Sequence, residues 1–232
     1  MFISQLSLNT RKKDVHRDLA SPYEMHRTLL RAFPDQHNGG TGRVMFRVDV
    51  SRDEDRPPIV LVQSEKRPDW TVLEKGGYAQ VTGVKELIPA VSESMSMSRN
   101  VMLVRTGDQF RFRLIANPTV KRQVEGKKNG RREACVTEEQ QLAWLARKGE
   151  AGGFSLMVSE TDAGESIPAC VMIPMGRMTS HRRKDHCNMT HFGVCFNGCL
   201  QVTDASQFAS TLVSGIGSAK AFGFGLLSIA PM

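Results

Sequence analysis

No apolar run in this 232-residue chain reaches the ~18 residues that a membrane-spanning helix needs. The opening, MFISQLSLNTRKK, lacks the apolar centre of a secretory signal, and its charges follow the short apolar stretch instead of preceding it. Neither a membrane protein nor a secreted one is expected. Cysteine is scarce: the five (Cys135, Cys170, Cys187, Cys195, Cys199) are odd in number and form no CxxC pair. That excludes a disulfide framework and fits a reducing, cytoplasmic setting. Clustered carboxylates are missing as well. The one dense acidic run, Asp53-Glu54-Asp55, reads as a loop, so little is on hand to hold catalytic cations. A mechanism without metal or cofactor is expected.

The glycine-rich segment Gly215-Ile216-Gly217-Ser218-Ala219-Lys220-Ala221-Phe222-Gly223-Phe224-Gly225 completes neither nucleotide fingerprint. A Walker loop needs GxxxxGK[ST], and Lys220 is neither preceded by glycine nor followed by serine or threonine. A dinucleotide loop fails too, because Lys220 occupies the third-glycine position and the segment follows a helix. What remains is a helix-to-strand loop. Its amides can approach phosphates with Lys220 adding charge, or it is a structural turn.

What the chain does hold is an ordinary globular mixture, 40% hydrophobic and 24% charged. Its length suits two domains of about 100 residues or one larger α/β domain. Lysine and arginine number 31 against 24 acidic residues, for a net +7. The excess is local. Between Arg99 and Arg132 ten basic residues face only Asp108 and Glu125, so this stretch nets +8 and the remainder about −1. A concentrated basic segment on a near-neutral body points to a polyanion, nucleic acid foremost; the alternative is a solvated basic loop.

Phe2–Leu8 reads as a first strand. Ser21-Pro22-Tyr23-Glu24 then combines an N-cap serine, proline at the first helical position and glutamate three residues after the cap. The helix is predicted from Pro22 to about Phe33, with Met25, Leu29 and Phe33 as its core stripe. Arg43–Val50 and Ile59–Ser64 are strand-like, Pro68-Asp69-Trp70 is turn-like, and Tyr78–Val84 offers an edge strand. The polar stretch SESMSMSRN, residues 92–100, reads as a linker.

After it, Gln109–Ala116 alternates with arginines on one face. Thr137 and Gln140 open a second helix, with Gly149 expected just past its end. Phe154–Val158, Val171–Ile173, His191–Phe196 and Leu200–Thr203 read as strands, the last two around an Asn197–Gly198 turn. Asp204 with Gln207 opens a third helix, and Gly225–Ala230 closes the chain as a strand. Written out, each half follows β, α, β, β, α, β. The expectation is therefore an α+β protein of two tandem ferredoxin-like (RRM-like) domains, residues 1–95 and 101–232.

Several residue groups bear on chemistry. Tyr23, His26 and Arg27 are helical neighbours with Arg31 a turn further on, and His26 falls at the border of the apolar stripe. An imidazole beside a phenol and guanidiniums suits proton transfer at a phosphate; the alternative is a surface histidine. Cys187, His191, Cys195 and Cys199 recur every fourth residue, which on a helix would place four zinc ligands on one face. Their surroundings, HFGVCFNGCLQV, read instead as β structure, with Cys195 and Cys199 flanking a hairpin. His181-Arg182-Arg183-Lys184-Asp185 forms a basic tip between two strands, able to grip phosphates or simply to carry solvated charge.

Four segments together, DLASPYEMHRTLLRAF (18–33), RFRLIANPTVKR (111–122), EEQQLAWLARK (138–148) and GIGSAKAFGFGLLSIAP (215–231), resemble in order and spacing the CasE (Cse3) family. These are the repeat-specific endoribonucleases of CRISPR type I-E Cascade, within the RAMP superfamily. The resemblance covers nearly the whole chain and implies two ferredoxin-like domains. It also implies metal-free cleavage of precursor CRISPR RNA at the 3′ base of the repeat stem-loop. Attack by the ribose 2′-OH would leave a 2′,3′-cyclic phosphate and a 5′-OH.

Carried over residue by residue, it makes His26 the general acid or base and Tyr23 its helper. Arg31 stands where the family can have lysine, which keeps the charge but changes its geometry. RNA contacts are expected from Arg27, Arg111, Arg113, Lys121, Arg122, Arg182, Arg183 and Lys184. Gly215, Gly217 and Lys220 would support the bound strand. The implied partners are the repeat stem-loop, the mature crRNA 3′ hairpin retained as product, and other Cascade subunits. Two other readings compete: a subunit of the same complex that binds the RNA hairpin without cutting, and a structural protein whose basic strip meets acidic partners.

Overall fold

The computed structural model describes residues 1–33, 40–51, 53, 55–91, 101–122, 131–160, 164, 166–182 and 187–232. The first half runs β1 (Phe2–Leu8), α1 (Lys13–Ala20), α2 (Pro22–Leu30), β2 (Val44–Asp49), β3 (Ile59–Ser64), α3 (Thr71–Lys75) and β4 (Ala79–Glu86). Its strands form one antiparallel sheet in the order β2-β3-β1-β4. The helices cover one face, where Leu6, Met25, Leu29, Phe46, Val62 and Leu73 meet in a closed core. A short parallel pair, β5 (Ile88–Ala90) and β6 (Val101–Leu103), follows. The linker predicted over 92–100 lies outside the described residues.

The second half contains β7 (Gln109–Ala116), β8 (Thr119–Arg122), β9 (Arg131–Ala134), α4 (Glu138–Ala151), β10 (Phe154–Leu156), β11 (Val158–Glu160), β12 (Ser166–Pro168), β13 (Cys170–Arg182), β14 (Cys187–Val202), α5 (Ala205–Ser214), a 3-10 turn at Lys220–Phe222, and β15 (Leu227–Pro231). Its sheet is ordered β10-β14-β7-β15, with β13 laid along β14 as a long antiparallel ribbon. Trp144, Leu145, Phe154, Phe196, Phe208 and Leu212 anchor a second core beneath α4 and α5. On the sheet's other face Ile115, Cys195 and Phe224 form a small third cluster, packed by Met178, Ala219 and Phe222. It is there that the glycine-rich segment folds back, with Gly225 N–H donating to Ile115 O at 2.7 Å.

Polar side chains join the halves. The buried Arg47 on β2 grips Asp49 through Nε and Nη2, at 3.0 and 2.8 Å, while its Nη1 reaches Ser228 Oγ on β15 at 2.5 Å. Across the same seam Arg113 Nη1 donates to Asp49 Oδ1 at 3.4 Å. A second seam joins β3 to α5: Gln63 Nε2 donates to the carbonyls of Leu212 and Val213 at 2.9 and 3.0 Å.

The structure departs from the sequence expectations in physically informative ways. α1 is an additional helix absent from the sequence expectation, and α2 stops at Leu30, with Ala32 and Phe33 buried in a turn that follows. Trp70, expected in a turn, opens α3. Phe154–Val158 divides at Met157 into two strands that pair with different partners. Gly149 does not end α4 but lies inside it. A Cβ there would stand 2.6 Å from Phe154 O, so this glycine permits close approach, and Gly152 is the cap. Asn197–Gly198 is not a turn either: β14 passes straight through it, hydrogen-bonded to β13 on one side and β7 on the other. Glycine is required at 198 because a Cβ would crowd Cys170 Cα at 2.9 Å and Phe112 Cε1 at 3.1 Å.

Candidate active site

α2 is set by its two ends and its apolar stripe. Ser21 Oγ accepts the Glu24 N–H at 3.5 Å, Pro22 fills the first turn, and Met25 and Leu29 are buried. That registration leaves Tyr23, His26 and Arg27 on the flank of the helix. The His26 ring stacks on Phe46, centroids 6.3 Å apart and planes 18° from parallel. Its Nδ1 is buried and has no hydrogen-bond partner among the described residues, which leaves Nε2 as the nitrogen for a reacting group. Burial lowers the His26 pKa, so the ring is neutral at pH 7.

Tyr23 lies under Arg27, whose guanidinium carbon is 5.9 Å from the phenol ring centroid. The Arg27 charge is partly answered by Glu24 at 3.1 Å. Arg31 is exposed at the C-cap of α2. The four residues expected to do chemistry or touch the reacting strand thus share the flank and end of one helix.

The opposite wall is the glycine-rich segment, whose 3-10 turn packs against α2 and β2. Gly215 and Gly217 take positive φ of 72° and 84°. Gly215 is pressed against Met45, and a Cβ on Gly217 would meet Trp144 Cζ2 at 3.1 Å. Lys220, expected to face the bound strand, has its Nζ hydrogen-bonded to Ser214 O at 2.6 Å.

β13 also packs against α2 and leads away from it. Arg182 closes the described ladder opposite Cys187, while Arg183 and Lys184 lie outside the described residues. The structure does not gather the remaining basic residues with these. Arg111 and Arg113 project from β7 beside a groove of about 480 Å³ that Asn197 and Ser228 also line. Arg113 Nε donates to Asn197 Oδ1 at 2.7 Å, and Arg111 Nη2 to Pro231 O at 3.3 Å. Lys121 and Arg122 stand on β8, where Arg122 pairs with Glu133 at 3.0 Å.

Cys187, His191, Cys195 and Cys199 are spaced along the single strand β14. At ~3.4 Å per residue, neighbours in the series are about 14 Å apart, too far to share one tetrahedral ion. His191 instead belongs to a polar pair that its sequence gave no sign of. Asn117 Oδ1 accepts the Phe192 N–H at 3.2 Å, which turns its amide nitrogen to His191 Nδ1 at 3.3 Å. Asn117 therefore donates, and the His191 proton resides on Nε2. Phe46, the platform under His26, likewise shows in the sequence only as part of a strand.

Comparison with known proteins adds a family. Residues 1–231 match the model of the family described as CRISPR associated protein. The chain is 37% identical over 235 residues to the CRISPR-associated endoribonuclease Cse3 of Thermus thermophilus, covering 100% of both. It is 26% identical over 224 residues to the CRISPR system Cascade subunit CasE of Escherichia coli, covering 93% of this chain and 94% of that one. Among solved structures, Thermus thermophilus Cse3 bound to an RNA representing a pre-cleavage complex superposes with a TM-score of 0.78 at 36% identity. That match covers 99% of this chain and 98% of the other.

Proposed function

The chain belongs to the family of CRISPR associated proteins, and from that membership we propose that it is an endoribonuclease cutting precursor CRISPR RNA at the 3′ base of the repeat stem-loop. The observation that carries the reading is the placing of His26. Its imidazole is held neutral by burial, on the flank of α2, with Tyr23 and Arg31 on the same helix. In this reading the ribose 2′-oxygen attacks the adjacent phosphorus as its proton leaves. The bond to the 5′-oxygen breaks and that oxygen takes up a proton, giving a 2′,3′-cyclic phosphate and a 5′-OH. His26 performs one of the two transfers, Tyr23 assists at the reacting groups, and the Arg31 guanidinium stabilises the anionic phosphorane. No metal takes part.

Arg27 steadies the phosphates beside the cut. Arg182, Arg183 and Lys184 meet the stem, and Arg111, Arg113, Lys121 and Arg122 extend the basic surface. Gly215 and Gly217 form the floor beneath the strand, and Lys220 belongs to the same segment. The product hairpin stays bound, so the protein sits with other Cascade subunits on the guide's 3′ end, as the name of its Escherichia coli relative supports. We read residues 1–95 and 101–232 as two ferredoxin-like domains. The matching strand orders β2-β3-β1-β4 and β10-β14-β7-β15 support that division, as do the two separate cores.

The test uses a 5′-labelled repeat stem-loop in EDTA beside one carrying a 2′-deoxy sugar at the cut site. Cleavage of the first alone, abolished by His26→Ala, is the expected result. Tight binding without cleavage would leave the non-cutting hairpin binder. No binding of stem-loop RNA would leave the structural reading.

A further inference from the structure

α5 ends without a basic residue in its last turn, so its carbonyls need donors from elsewhere. Gln63 supplies Leu212 and Val213, and Arg43 Nη1 reaches Val213 O at 3.4 Å. Lys220 supplies Ser214, the last residue of the helix, at 2.6 Å. This amine is half-buried, and burial, Arg43 and Lys148 all depress its pKa. Against these, the Ser214 carbonyl at the negative end of α5 accepts its hydrogen bond and favours the ammonium form.

What Lys220 anchors is strained. Ala219, just before it, has φ 61°, the one non-glycine residue at positive φ among the described residues. An L-residue is disfavoured there by its own Cβ and persists only where neighbours hold it. The 3-10 turn that follows ends at Gly223, with φ 83°. Gly223 lies against the ring under His26: a Cβ added to it would stand 3.2 Å from Phe46 Cε2. Contacts therefore run without a break from Ser214 O through Lys220 and the turn to Phe46, and from Phe46 to the His26 imidazole.

We propose that Lys220 is a positioning residue of the cleavage site: it pins the strained turn to the end of α5, and the turn holds Phe46 and hence His26 in place. Lys220 does not act by neutralising an RNA phosphate. The inference rests on the endoribonuclease reading and gives the glycine-rich segment a different task within it.

The experiment separates rate from affinity. Single-turnover cleavage of the labelled stem-loop in EDTA gives the rate constant, and binding of the 2′-deoxy stem-loop across a salt series gives affinity and salt slope. Lys220→Met is expected to lower the rate constant by about 10- to 100-fold, since small misplacements of reacting groups are that costly. Its Kd stays within about twofold of wild type and its salt slope is unchanged, because no phosphate contact is lost. Gly223→Ala leaves Lys220 intact and crowds Phe46; it is expected to show the same split. Should Lys220→Met lose its cooperative melt, Gly223→Ala alone decides.

The proposal is overturned if Lys220→Met binds more weakly with a salt slope smaller by about 1 while cutting normally once saturated, the signature of a phosphate ligand. Wild-type rate and affinity in Gly223→Ala overturn it too. Wild-type protein that binds and does not cut refutes the endoribonuclease reading itself, and is seen before any variant is compared.

Discussion

The His26 imidazole rests on the Phe46 ring at 6.3 Å, so the residue proposed for proton transfer is oriented by a core aromatic on a neighbouring strand. Phe46 is 2% exposed and faces the first core with its other side. Phe46→Ala is expected to cost about 3–5 kcal/mol of stability, measured by urea unfolding. Phe46→Leu keeps most of the volume and removes the flat platform. It should melt close to wild type and cut more slowly, which single-turnover assays would register.

Burial lowers the pKa of both His26 and His191. In the unfolded chain each titrates near ~6.5, so below that pH the unfolded state binds protons that the folded state refuses. Stability is therefore expected to hold above pH ~6.5 and to fall as pH drops through that value towards the depressed folded pKa values. Thermal melts from pH 7.5 down to 5 check the sign. His26→Asn with His191→Asn should flatten the dependence.

The cleavage rate carries the same lowered pKa. With His26 taking the 2′-OH proton, the rate rises with pH and levels off from an inflection below ~6.5. With His26 giving a proton to the leaving oxygen, the rate declines above that inflection instead. A pH profile of single-turnover cleavage distinguishes the two roles.

Asp49 answers two guanidiniums, the buried Arg47 and the half-exposed Arg113. Asp49→Ala strands the Arg47 charge inside the seam and is expected to destabilise the protein by about 3 kcal/mol in denaturant titration. Arg113→Ala removes only the exposed partner and should cost less than about 1 kcal/mol.

Gly198→Ala tests the reading of β14 as one unbroken strand. The added methyl group meets the backbone of Cys170 and the Phe112 ring with nowhere to go. A drop of several kcal/mol, or loss of soluble protein, is expected. Near-normal stability, as a flexible turn would give, counts against the strand.

Legibility in the sequence followed local chemistry. The helices with side-chain caps at Ser21, Thr137 and Asp204 were all foreseen, because a cap is written within four residues. α1 was not. Its apolar stripe is only Val15 and Leu19, and its buried side is completed by Asp18, held by the Tyr78 hydroxyl at 2.8 Å and by Arg17. A carboxylate in a core gives no periodic signal, and its partner is 60 residues away. The glycines misled for a related reason. The local pattern makes Gly149 and Gly198 breaks, whereas both are small so that other parts of the chain can come close: Phe154, just past the helix, at Gly149, and the distant Cys170 and Phe112 at Gly198. In the site, the spacing of Tyr23, His26 and Arg27 was visible. The surfaces that orient them, Phe46 and the turn after α5, depend on contacts between the halves.

The two seams have a thermodynamic consequence. Gln63 and Arg43 complete the end of a helix in the other half, and Arg47 needs Ser228 for one of its buried donors. Unfolding either core alone would leave those carbonyls and that guanidinium without their partners. The chain should therefore melt in one cooperative transition despite its two cores, and a fragment ending near residue 91 would carry His26 into solution without the framework that aims it.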